Sequence, residues 1–230
     1  MEHAIPANSP GNPSFRKNPE EPSCTDIAIA GLEYLSRKRN GFFLFVEQGD
    51  IDWANHANDF EWMVSSVVDL HNAVDATIKW VDRPGDDIDW SNTLLIVTAD
   101  HANSFMRFGD KKLGKGELPE YIAFDPLETK KAYVNGEIKY YANYHTNELV
   151  SFYAKGDGAD KVFGKYEGAW YPGTRLIDNT HIFRAIADYT GVKYEYRLKP
   201  VGPDGKPLAA TAGLLALLLI SGMIVHSRRR

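Results

Sequence analysis

A single cysteine, Cys24, stands in 230 residues. It excludes an intramolecular disulfide and a thiolate zinc site, so any metal must be held by imidazoles and carboxylates. Nothing around Cys24 would depress a thiol, and it reads as structurally incidental. No basic stripe stands out among the 26 lysines and arginines, and the net charge is −5, which excludes a nucleic-acid binder. Internal repeats are absent. The opening MEHAIPANSPGNPSF has no basic n-region and no apolar h-region, so it does not read as a secretory signal.

What is present suffices for a sizeable core: 43% hydrophobic residues, 12% of the chain aromatic. Residues 1–23 carry five prolines and read as an extended segment. A folded domain is expected over 24–197. Thr25 or Asp26 can cap a helix over 26–38, and Asn40-Gly41 ends it. Gly41–Glu47 (GFFLFVE) reads as a strand buried on both faces. Asp59 to about Trp80 carries Phe60, Met63, Val64, Val67, Val74 and Ile78 at helical spacing. Thr93–Ala99 (TLLIVTA) is a second buried strand, 107–120 a Gly- and Lys-rich loop, and Leu149–Ala154 a third strand. Asp178 or Thr180 caps a helix through Tyr189 that stops at Gly191. Helices alternating with apolar strands predict an α/β fold with a mostly parallel sheet flanked by helices.

After a linker at 198–207, the apolar stretch 208–225 (LAATAGLLALLLISGMIV) would span about 27 Å as a helix, enough to cross a bilayer. The basic tail 226–230 would hold that end in the cytoplasm and the domain outside it. The expectation is a membrane-anchored, extracytoplasmic protein of a bacterium. Leu208–Ala212 also loosely matches a sortase pattern, with Ala212 in place of its glycine, so a cleaved sorting signal is the other reading of the tail.

Ligands of parallel sheets sit beyond the carboxyl ends of the strands. Both strong strands end in chemistry there: Glu47 and the run VEQGDIDWANH after the first, Asp100-His101 after the second. Asp52 and His56, four apart, share a helix face and can reach one cation. Asp, Glu and His without Cys suit catalytic Zn²⁺, with Mg²⁺ where carboxylates dominate. Gln48 and Asp50 read as solvated bystanders, Lys111, Lys112 and Lys115 as a solvated loop face, and His71 and His181 as packed or surface residues.

GFFLFVEQGDIDWANH, TLLIVTADHANS and HTNELVSFYAKGDGAD together resemble the C-terminal half of alkaline phosphatase, over roughly Pro22 to Val192. The resemblance implies two zinc ions and one magnesium ion around a serine nucleophile, acting on phosphate monoesters. It places Asp52, His56 and His145 on the first zinc, Asp100 and His101 on the second, and Glu47 on the magnesium. Trp53 stands where relatives often have Lys or His, which departs from the phosphate-positioning pattern. The family's serine follows an aspartate, and no Asp-Ser dipeptide occurs in this sequence. The resemblance therefore implies a partial fold, with one complete zinc site and an N-terminal, nucleophile-bearing half to be supplied separately. A homodimer is the family's usual assembly. Two further readings stand beside it: a non-catalytic, membrane-anchored zinc-binding remnant, and a phosphodiesterase or sulfatase-like member of the wider superfamily.

Overall fold

The computed structural model describes residues 22–38, 40–123, 131–169, 171–193 and 222–227. Two compact units divide the chain: residues 1–157 with 219–230, and residues 158–218.

The first unit opens with α1 (Cys24–Leu35). Its cap is Ser23, earlier than either residue that the sequence favours: the Ser23 hydroxyl accepts from the Asp26 N–H at 3.1 Å, and Asp26 accepts from the Ser23 N–H at 2.8 Å. That reciprocal pair satisfies two helix-end donors and contributes about 1 kcal/mol. Ala28 and Leu32 bury one face of α1 among Phe42, Val46, Ala73 and Trp80. Strand β1 (Phe42–Glu47) follows, then the short α2 (Asp50–His56) and the long α3 (Phe60–Val81), capped by Asp59 through the Trp62 N–H at 3.0 Å. The core lies between α1, α3 and the sheet. Gly31 of α1 passes so close that a Cβ there would stand 3.0 Å from Leu44 Cδ1.

Strand β2 (Thr93–Thr98) is buried from Thr93 to Ile96. Short strands then fold back in pairs: β3 (Ala102–Asn103), β4 (Met106–Phe108), β5 (Tyr121–Ala123), β6 (Lys131–Tyr133), β7 (Ile138–Tyr140) and β8 (His145–Thr146), paired β3–β8, β4–β7 and β5–β6. Strand β9 (Tyr153–Gly156) returns to the main sheet. Gly156 has φ +103°, and a Cβ there would lie 2.0 Å from the Thr93 carbonyl oxygen, so only glycine fits this approach.

The second unit holds α4 (Ala159–Gly164) and α5 (Asn179–Thr190). Asp178 caps α5 and Gly191 closes it at φ 73°, as the sequence predicts.

Five expectations need correction. The main sheet has the order β1–β10–β2–β9, where β10 is Gly222–Ser227, and every neighbouring pair is antiparallel rather than mostly parallel. β1 and β2 do run the same way, but β10 lies between them and opposes both. The C-terminal transmembrane helix is overturned at its end, because Gly222–Val225 is strand. An apolar run of branched side chains serves a buried strand as well as a helix. The rest of that expectation, 208–221, and the linker 198–207 lie outside the described residues, as do 1–21; among the described residues no helix is long and apolar enough to cross a membrane. β1 is not buried on both faces, since Phe43 is 44% exposed. The third strand forms at Tyr153–Gly156, later than Leu149–Ala154, and the loop expected over 107–120 begins as strand β4.

Candidate metal centre

β1 and β2 are level at their carboxyl ends, because Glu47 and Thr98 both lie opposite Gly222. The residues that follow each strand are therefore delivered to one edge of the sheet. After β1, Gln48 turns the chain into α2: its side-chain oxygen accepts from the Asp50 N–H at 3.0 Å and its amide donates to Asp69 of α3 at 2.6 Å. Gln48 is thus a fastener of α2, not the solvated bystander that the sequence suggests. On α2, Asp52 and His56 share a face, with Oδ2 of Asp52 3.2 Å from Nε2 of His56.

After β2, Asp100 and His101 lead into β3, which pairs with β8 and sets Asn103 opposite His145. Ser104 and Phe105 then adopt left-handed backbone, φ 66° and 49°. The strain is held by a dense local network: the Ser104 hydroxyl donates to the Asn55 carbonyl at 2.6 Å, and its N–H donates to the Tyr144 carbonyl at 3.0 Å. This network ties α2 to the turn after β3.

The result is a convergence on Asp52. Its Oδ1 lies 3.4 Å from Nε2 of His145 and 4.0 Å from Nε2 of His101. Ligand atoms of Asp52, His101 and His145 all fall within 4.8 Å of one another. His56 Nε2 stands 3.1 Å from His145 Nε2, and the His101 and His145 rings stack at 3.5 Å. Asp100 Oδ2 is 3.2 Å from His101 Nε2. Two of the expected site residues from one predicted zinc set thus meet one from the other. The grouping cuts across the predicted division because the single carboxylate of Asp52 serves imidazoles from both strands. Glu47 ends β1 beside the same two aspartates. Its carboxyl is pushed above the usual range by desolvation, then by the negative charges of Asp100 and Asp52.

The ring nitrogens decide what the cluster can do. His56 Nδ1 lies 2.7 Å from the Asn143 carbonyl oxygen, and His101 Nδ1 lies 3.2 Å from the Ala102 carbonyl oxygen. A carbonyl only accepts, so each Nδ1 carries the proton and donates. Each ring turns its other nitrogen toward a carboxylate: His56 Nε2 lies 3.2 Å from Asp52 and His101 Nε2 3.2 Å from Asp100, the side on which a cation would be held. A carbonyl holding the far nitrogen is the usual outer support of a metal-binding histidine. Asp52 has its own support, since the Asn103 amide donates to its Oδ1 at 2.7 Å. The donor set, imidazole nitrogen and carboxylate oxygen with no thiolate, fits zinc at a catalytic-type site. Trp53 is 65% exposed at the mouth, its ring 6.3 Å from that of His56.

Sequence reasoning missed Asn103, Asn143, Ser104 and Gln48. Asn103 had a local signal, lying two residues after His101 in a strand-terminal ADHANS. The Asn143 contact is made by a backbone carbonyl, which no residue type announces.

Among the other described residues, His71 and Cys24 lie outside this chemistry. His71 is an exposed residue of α3. Cys24 is buried, and burial, followed by the charge of Asp69, pushes its thiol up to about 11, so it is not a reactive thiolate at neutral pH.

The pattern that defines the alkaline phosphatase family matches residues 13–132. Alkaline phosphatase 4 of Bacillus subtilis (strain 168) is 30% identical over 158 residues, covering 64% of this chain and 32% of that protein. Alkaline phosphatase of Escherichia coli (strain K12) is 28% identical over 181 residues, covering 79% of this chain and 34% of that protein. The chain therefore spans about a third of the length of these curated relatives. Among solved structures, a point mutant of alkaline phosphatase from the Antarctic bacterium TAB5, with Mg bound in its M3 site, superposes with a TM-score of 0.52 at 19% identity. That match covers 74% of this chain and 42% of the other, and it establishes the fold.

Proposed function

Since the chain belongs to the alkaline phosphatase family, we propose that it forms the metal-holding part of a phosphate monoesterase and binds Zn²⁺ through Asp52, His56, His101 and His145. The observation that carries this reading is a shared orientation: His56 and His101 each set Nδ1 against a backbone carbonyl and turn Nε2 toward the Asp52 carboxylate. Asp100 and Glu47 extend the donor set toward a second cation. Carboxylate oxygens suit Mg²⁺, and the crowding of Glu47 by Asp100 and Asp52 is the electrostatic setting that a divalent ion relieves.

A zinc ion held here would supply Lewis acidity toward a phosphoryl oxygen. The chain's own residues orient the donors. Asn103 fixes the rotamer of Asp52, and Gln48 and Ser104 fix α2 against α3 and the turn after β3. Trp53 offers an apolar face to the organic part of an ester.

The nucleophile is proposed to come from a segment that this chain does not contain. No Asp-Ser dipeptide occurs in the sequence. Ser104, three residues after His101, is fully buried, with its hydroxyl donating to Asn55, so it cannot attack. Isolated, the chain is expected to bind zinc but to hydrolyse little.

The test is zinc titration of the purified chain by calorimetry, run beside hydrolysis of p-nitrophenyl phosphate with His56→Ala as control. Tight zinc binding to the unmodified chain with turnover no higher than the control is the expected result. Failure to bind zinc overturns the metal assignment. Turnover well above the control overturns the external nucleophile.

A further inference from the structure

The last strand in the chain occupies the middle of its sheet. β1 and β2 do not pair with each other; each pairs along its whole length with β10, from Phe42 and Thr93 beside Ser227 to Glu47 and Thr98 beside Gly222. The two strands that deliver the candidate ligands are thus held two strand spacings apart, roughly 10 Å, by a segment that arrives last. Without β10, two six-residue edges would expose unpaired N–H and C=O groups, which sheets do not leave open inside.

The ligands divide across this slot. Glu47, Asp52 and His56 follow β1 on one side; Asp100 and His101 follow β2 on the other. Their lateral offset depends on what fills the gap. We propose that β1 and β2 form a strand-acceptor slot whose occupant is the chain's own segment Gly222–Ser227, and that filling the slot and binding metal at the strand ends favour each other. This rests on the metal-binding reading above and adds a partner for it within the chain.

The size of the coupling is bounded by the geometry. Asn103 to Asp52 and Ser104 to Asn55 already join the two sides at the cluster itself, so loss of β10 loosens the ligands without scattering them. A misplaced supporting group around a metal typically costs 10- to 100-fold in affinity, and the lower end, about tenfold, is expected here. Linkage requires the reverse effect to be equal: zinc must lower the equilibrium constant for opening of β10 by the same factor.

The experiment uses the full chain. Amide hydrogen exchange of 223–227 is measured with and without saturating Zn²⁺, with His56→Ala as the metal-blind control. Zinc affinity is measured in parallel for Ile224→Pro, which removes a ladder N–H in a strand paired on both sides. Exchange about tenfold slower with zinc in the unmodified chain, no zinc effect in His56→Ala, and about tenfold weaker binding by Ile224→Pro are the expected results. If Ile224→Pro misfolds, the exchange measurement alone decides. Zinc that binds yet leaves exchange at 223–227 unchanged overturns the coupling while leaving the metal reading intact. Absence of zinc binding by the unmodified chain overturns both.

Discussion

His56 and His181 are each held at Nδ1, but from opposite ends of a hydrogen bond. His56 donates to a carbonyl; His181 accepts from the Asp178 N–H at 3.1 Å and completes the cap of α5. The accepting ring keeps its proton at Nε2 and has no lone pair to offer outward. The charges around the two rings differ in the same sense. In residues 158–193, cations meet anions directly: Lys165 with Asp188, and Arg175 with Glu167 at 2.7 Å. At the ends of β1 and β2, three imidazoles and two aspartates gather, and no lysine or arginine ion pair to Asp52 or Asp100 occurs among the described residues. A cluster that neutralises itself is scaffolding. The gathered imidazoles and carboxylates are instead the donor set on which the proposed zinc site rests.

Removing the carboxylate that the three rings share breaks this contrast most sharply. Asp52→Ala is expected to weaken zinc binding by more than about 100-fold, beyond the range for supporting residues, as read by calorimetry. Acid separates the two regions next. Imidazole and carboxylate ligands must be deprotonated to bind, so zinc is released as pH falls. Asp178 behaves oppositely. The Thr180 hydroxyl, donating at 2.6 Å, is the main cause that holds its carboxyl below 3.8. A depressed carboxylate stabilises the fold above its unfolded value and loses that contribution only as pH falls through the lower folded one. The α5 cap therefore outlasts the metal: helical circular dichroism persists at a pH where a chromophoric chelator already reports zinc release. A smaller effect is expected from Asn103→Ala, about tenfold in zinc affinity with little change in Tm, because it only orients Asp52. His181→Ala sets the lower limit. It should leave zinc affinity unchanged and cost about 1 kcal/mol in denaturant unfolding through the lost cap contact.

Much of this was legible in the residues. The phase of α3, the cap at Asp178 and the stop at Gly191 follow from periodicity and capping, and the two strands ending in acidic and histidine residues point to the candidate site. What escaped was contributed by backbone or by distance along the chain. The Asn143 carbonyl has no signature. The fastening role of Gln48 depends on Asp69, 21 positions away. The end of the tail misled because length and apolarity outweighed the local signal at Gly222, where strand β10 begins. Insertion of β10 between β1 and β2 also turned an expected parallel sheet antiparallel, a pairing that no local pattern encodes.

Strand β10 has a mechanical consequence. Ser227 sits beside Phe42 and Thr93, at the end of the sheet opposite the cluster. A load applied beyond Ser227 and directed along the strand does not peel one edge a bond at a time. It must shear two six-residue ladders together, and it enters them at Phe42 and Thr93, the ends of β1 and β2 farthest from the candidate ligands. Tension on that end is thus shared between β1 and β2, and both ladders stand between the load and the cluster.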